Sequence, residues 1–181
     1  HKDERKFHVK DVRQKWFGCA CCPPNLARTL SSVSSYAFTE NDDTLFVHLY
    51  IGSDVKKKIN GQEVSVHIDS AFPWDGKVTV SVDGANVPLT LALRIPGWAN
   101  SYTVSADSSE YTIKDGYLYI TRTWKKGETL TLDFPMEIQV WNADPRVRED
   151  IGKAAVTRGP ITYCLEEKDN GTDLHLLTLD W

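Results

Sequence analysis

The chain has 181 residues, of which 41% are hydrophobic and 25% charged, and its formal net charge is −4. That composition belongs to globular domains, and an acidic balance argues against nucleic acid, whose phosphates call for a basic stripe. No stretch approaches the roughly 18–20 apolar residues of a membrane-spanning helix, so neither nucleic acid nor membrane is expected as a partner.

The opening, His1-Lys2-Asp3-Glu4-Arg5-Lys6, is charged and has no apolar run behind it. It does not read as a signal peptide, and without an initiator Met it reads as a processed chain or an excised piece of a longer one. Trp16-Phe17-Gly18 leads into Cys19-Ala20-Cys21-Cys22, and Pro23-Pro24-Asn25 opens a helical pattern. Leu26, Leu30, Val33 and Ala37 recur at helical spacing and form one apolar face. Pro24 suits a first helical turn, where its missing N–H costs nothing. The helix is expected to end near Thr39, before the turn-rich Glu40-Asn41-Asp42-Asp43.

From Thr44 the period changes to two. Thr44–Ile51 is one strand candidate. Val64, Val66 and Ile68 alternate with polar residues, as do Val78, Val80 and Val82, then Leu89, Leu91, Leu93 and Ile95, then Leu130, Leu132 and Phe134. Alternation of this kind means one buried and one wet face, the pattern of antiparallel sheet. Asn60-Gly61, Asp83-Gly84, Asp115-Gly116 and Asn170-Gly171 are hairpin signals. The expected fold is mainly β, an antiparallel β-sandwich of short strands with one N-terminal helix. A softer boundary lies near residue 142, at Asn142-Ala143-Asp144-Pro145. The basic run Lys56-Lys57-Lys58 reads as a solvated strand or turn edge.

Three of the four cysteines fall within four residues. A disulfide framework spreads its cysteines to staple distant segments, so bunched thiols suit metal binding or thiol chemistry better. A helix N-terminus, with its partial positive charge and free N–H groups, is an environment suited to an anionic thiolate. Cys21 and Cys22 can both reach one soft cation such as zinc, which normally takes four ligands. The cluster supplies three at most. Cys164 sits in the apolar stretch Ile161–Leu165 and reads as a buried small hydrophobe. His1, His8, His48, His67 and His175 are scattered, and His48 and His67 read as surface or satisfied sheet residues. On spacing alone, metal binding, inert thiols and redox chemistry all stay open. Trp74, Trp98, Tyr102, Trp124 and Trp141 could stack on sugar rings, although aromatics also fill sandwich cores and edges.

The segment Trp16–Asn25, followed by Arg28, resembles the signature of the β-L-arabinofuranosidases of glycoside hydrolase family 127. Later blocks agree in order: Leu93–Ala99, Gly116–Leu118 through Trp124–Gly127, Pro135-Met136, Ala143–Val147, and Arg158–Pro160 through Tyr163–Glu166. The resemblance implies an N-terminal (α/α)6 barrel that holds the active site, followed by two β-sandwiches. Residues 1–40 then correspond to the last piece of the barrel, 41–141 to the first sandwich and 142–181 to the start of the second. It also implies a retaining mechanism. The residue matching Cys21 is the nucleophile, and those matching Cys21 and Cys22 ligate zinc. An upstream Glu-x-Cys segment completes the metal site, and a further upstream Glu is the acid/base. None of that upstream machinery lies in this chain, so the chain alone is expected to be inactive. Cys19 has no role in that scheme. The expected partners are a plant-type glycan substrate and the chain's own upstream barrel. Two rival readings are a carbohydrate-binding sandwich, which needs Trp74, Trp98 and Trp124 exposed as a row, and a structural zinc module, which needs four ligands within the chain.

Overall fold

A computed structural model of the chain describes residues 21–59, 61–83 and 87–180. It comprises two compact units, His1–Tyr36 and Ala37–Trp181. Cys19 and the segment before it lie outside the described residues.

Helix α1 runs from Cys22 to Ala37. Its proline-rich start falls in the first turn, where proline is tolerated. The serine-rich middle is helical, and its hydroxyls turn back onto helix carbonyls. Thr29 Oγ1 donates to Asn25 O at 3.0 Å, Ser31 Oγ to Ala27 O at 2.8 Å and Ser32 Oγ to Arg28 O at 2.8 Å. Leu26, Leu30 and Val33 share the expected face and are solvent-exposed. The helix ends with its last apolar position, Ala37, two residues before Thr39. Phe38 and Thr39 belong instead to strand β1 (Phe38–Glu40), where Phe38 is drawn into the core opposite Val47.

The remaining chain is mostly sheet. Sheet 1 has the order β1-β2-β6-β9-β8, with β2 at Thr44–Val47, β6 at Val87–Arg94, β8 at Tyr111–Lys114 and β9 at Tyr117–Trp124. Sheet 2 has the order β3-β4-β5-β10-β7, with β3 at Ser53–Ile59, β4 at Gln62–Ser70, β5 at Lys77–Asp83, β7 at Thr103–Val104 and β10 at Glu128–Asp133. The alternating positions read from the sequence fill the core between them. Leu45, Val47, Leu89, Leu91, Leu93, Leu118 and Ile120 come from sheet 1, and Val64, Val66, Ile68, Val78, Val80, Val82, Leu130 and Leu132 from sheet 2. Phe134 and Tyr50 close one end.

Three local readings change. The strand beginning at Thr44 ends at Val47, and it runs parallel to β6 within an otherwise antiparallel sheet. Gly84 lies outside the described residues, and the strands on either side of Asp83-Gly84, β5 and β6, belong to different sheets and do not pair as a hairpin. Asn170-Gly171 ends the short helix α2 (Glu167–Asn170), with Gly171 at φ 84° as its cap. Asp115-Gly116, by contrast, is a hairpin turn with both residues at positive φ, 50° and 78°, as a type I′ turn requires.

A third sheet, β11-β12-β13, comprises Ile138–Asn142, Ala154–Arg158 and Ile161–Tyr163. Two hydrogen bonds tie it to the sandwich, from Gln139 Nε2 to Trp98 O at 3.1 Å and from Arg158 Nη1 to Trp74 O at 3.1 Å. The loop carrying Trp74 is held from the other side at Gly76. Gly76 O accepts from Phe134 N at 3.1 Å. A β-carbon at residue 76 would lie 1.9 Å from Phe134 O, so only glycine fits.

Candidate functional site

Cys21 sits in the bend just before α1, and Cys22 is the helix's first residue. Both are exposed, and their sulfurs lie 3.6 Å apart. The helix is fixed directly behind them: Asn25 N donates to Cys21 O at 3.4 Å, and Arg28 Nη2 donates to Asn25 Oδ1 at 2.7 Å. Two thiolates bound to one tetrahedral zinc, at about 2.3 Å each, would be about 3.8 Å apart. The Cys21–Cys22 spacing therefore fits one edge of a zinc tetrahedron. Among the described residues no group of three or more His, Cys, Asp or Glu side chains comes together. Two sulfurs make up one half of a four-ligand set.

The other singled-out residues are dispersed. Cys164 is exposed, not buried, because β13 ends at Tyr163 on the edge of the small third sheet and leaves the thiol uncovered. His67 is a surface residue, 2.8 Å from Asp54. Trp124 is fully buried, Trp98 is partly buried and Trp74 is 71% exposed, so these three form no row on a sheet face. Trp141 is exposed and donates from Nε1 to Thr157 Oγ1 at 2.8 Å.

Comparison with known proteins bears on both units. The profile of the β-L-arabinofuranosidase middle domain of glycoside hydrolase family 127 matches residues 44–136, more than half of the chain. The chain belongs to glycoside hydrolase family 127. The profile of that family's C-terminal domain matches residues 138–181. A non-reducing-end β-L-arabinofuranosidase of Bifidobacterium longum subsp. longum is 38% identical over 180 residues, covering 93% of this chain but 27% of that enzyme. The crystal structure of a family 127 β-L-arabinofuranosidase from Geobacillus stearothermophilus T6 superposes with a TM-score of 0.84 at 47% identity, covering 96% of this chain and 28% of that one. A further family 127 β-arabinofuranosidase superposes at 0.80 with 34% identity, covering 88% and 28%. The chain therefore spans little more than a quarter of the relatives it matches.

Sequence reasoning missed one feature of this family 127 chain. The outward face of sheet 1 carries an aromatic and polar cluster. Phe46, Tyr117 and Tyr119 pack edge to face, and His48 is hydrogen-bonded at 2.7 Å to both Tyr117 Oη and Thr39 Oγ1. Partial burial, and secondarily the positive charge of Arg94, hold the His48 imidazole below its ordinary pKa. The available signal was the outward half of the alternation in β2 and β9, which is aromatic where water-facing positions are usually polar.

Proposed function

We propose that the chain is the C-terminal part of a retaining glycoside hydrolase acting on β-L-arabinofuranosides, with Cys21 as its nucleophile. The 3.6 Å Cys21–Cys22 sulfur pair at the start of α1 is the observation that supports it. Cys21 and Cys22 would hold zinc, which would keep the nucleophilic sulfur ionised and aimed. The Cys21 sulfur attacks the anomeric carbon as the glycosidic C–O bond breaks. The departing oxygen takes a proton from an acid supplied outside this chain. Water, giving its proton to the conjugate base of that same acid, then displaces the sulfur as thiolate from the same carbon, and two inversions give net retention. The chain supplies the nucleophile and two of four ligands, so by itself it does not turn over.

Joining this chain to its upstream region should confer hydrolysis of a chromogenic β-L-arabinofuranoside and stoichiometric zinc. Cys21→Ser should abolish turnover, and a slow substrate should leave a sugar adduct on Cys21 in tryptic peptides. Full activity in Cys21→Ser would overturn the proposal.

A further inference from the structure

The two outer faces of the sandwich differ. Sheet 2 presents hydroxyls and mixed charges, such as Ser65, His67, Asp69, Thr79 and Ser81, and no Phe, Tyr or Trp among the described residues. Sheet 1 presents two ordered rows. In one, Tyr117 of β9 is the register partner of Arg94 on one side and Lys114 on the other. In the next, Phe46 and Tyr119 are the register partners of Ala92 on its two sides and close over it edge to face, their ring centroids 6.2 Å apart and Ala92 fully buried beneath them.

Arg94 and Lys114 are both exposed, and among the described residues neither has an acidic partner. Strands about 4.8 Å apart place their Cα atoms about 10 Å from each other, a gap that side chains of this length close over an anion. On a chain of net charge −4, this is a local cationic row beside an aromatic one. His48 braces it by holding the Tyr117 phenol from one side and Thr39 from the other.

We propose that the outward face of sheet 1 binds a carboxylate-bearing sugar, a uronate residue within a glycan. Arg94 and Lys114 take the carboxylate through charge-assisted hydrogen bonds, and Tyr119 and Phe46 take the apolar C–H face of the ring. Two cations are too few for a phosphate backbone, which recruits a longer basic stripe. The choice of a glycan rests on the reading that the parent enzyme works on glycans. The site itself does not depend on Cys21.

The test is a titration of the full 181-residue chain with trigalacturonate, with galactotriose as the neutral counterpart and inorganic sulfate as the simple anion. The tyrosine ring resonances of Tyr117 and Tyr119 report binding. Trigalacturonate should shift them saturably, and the affinity should fall as salt rises. Arg94→Gln and Lys114→Gln should each weaken binding about tenfold, the worth of one charge-assisted bond. Tyr119→Ala should weaken it comparably, while Lys126→Gln, at a cation beside Asp83, should change nothing. Binding should persist in Cys21→Ser, so failure of the nucleophile assignment and failure of this site read out separately. Equal binding of galactotriose, full competition by sulfate, or binding that survives Arg94→Gln with Lys114→Gln would overturn the proposal. So would a concentration-dependent dimer that Tyr119→Ala dissolves, which would make the face an interface between copies.

Discussion

Trp124 separates a core role from a sugar-stacking role. Its side chain is fully buried, its Nε1 donates to Leu89 O at 2.9 Å, and the Arg122 guanidinium lies 4.2 Å above its ring. Truncation to alanine removes the largest side chain in the core, a change that costs about 3–5 kcal/mol. The lost hydrogen bond adds about 0.5–1.5 kcal/mol, and the cation–π contact about 0.5–1 kcal/mol. These contributions share one cavity and do not simply add. A total of about 4–5 kcal/mol is expected, which at roughly 2–4 °C per kcal/mol lowers Tm by about 10 °C or more. Trp124→Phe keeps most of the ring but loses the Nε1 hydrogen bond to Leu89 O, and should cost about 1–3 kcal/mol. Urea unfolding followed by far-ultraviolet circular dichroism measures both. A loss below about 1 kcal/mol for Trp124→Ala would mean that the ring does not hold the sandwich together, and the core assignment would fall.

Two other substitutions probe the scaffold. Gly76→Ala places a β-carbon where the Phe134 carbonyl oxygen already sits. The loop must therefore move, and thermal unfolding should drop clearly below wild type, whereas Gly61→Ala, with open space around it, should show only the smaller cost of its positive φ. His48 has a lowered pKa in the folded chain, so the unfolded chain binds its proton first. Stability should be unaffected by this residue above the unfolded value, about 6.5. It should fall as the pH drops from there toward the folded value, then level off. His48→Gln should remove that segment of the stability–pH curve, and an unchanged curve would show that the imidazole is not held neutral.

Alternation made the core legible. Val64-Val66-Ile68 and Val78-Val80-Val82 can bury one face only as strands, and both do. Strand order was not legible in the same way. Asp83-Gly84 has the local chemistry of a hairpin, but where the chain goes next depends on which sheet offers Leu89, Leu91 and Leu93 a buried face, and that is sheet 1. The parallel pairing of β2 with β6 is likewise a long-range choice that no dipeptide encodes. Cys164 was misread because its neighbours are apolar, yet a three-residue strand at a sheet edge cannot cover the residue that follows it. Phe46, His48, Tyr117 and Tyr119 occupy positions that alternation assigns to water, and their clustering emerges only when β2, β6 and β9 are in register.

The cysteine pair was legible as residues but not as a complete site, for a geometric reason. Two consecutive residues at a helix start can present sulfurs along one edge of a tetrahedron, and here that edge measures 3.6 Å. On the function proposed above, the opposite edge comes from another stretch of polypeptide, and the Cys21 sulfur would be activated only once the two meet, which would tie thiolate chemistry to assembly of the whole site. The described β-strands contribute differently. Apart from Thr44 and Thr90, their buried positions are aliphatic and aromatic, and no cluster of titratable groups of the metal-binding kind joins them among the described residues. Their part in glycan recognition, on the proposal above, is played from the outward rows of sheet 1, where strand register aligns the cations and the rings.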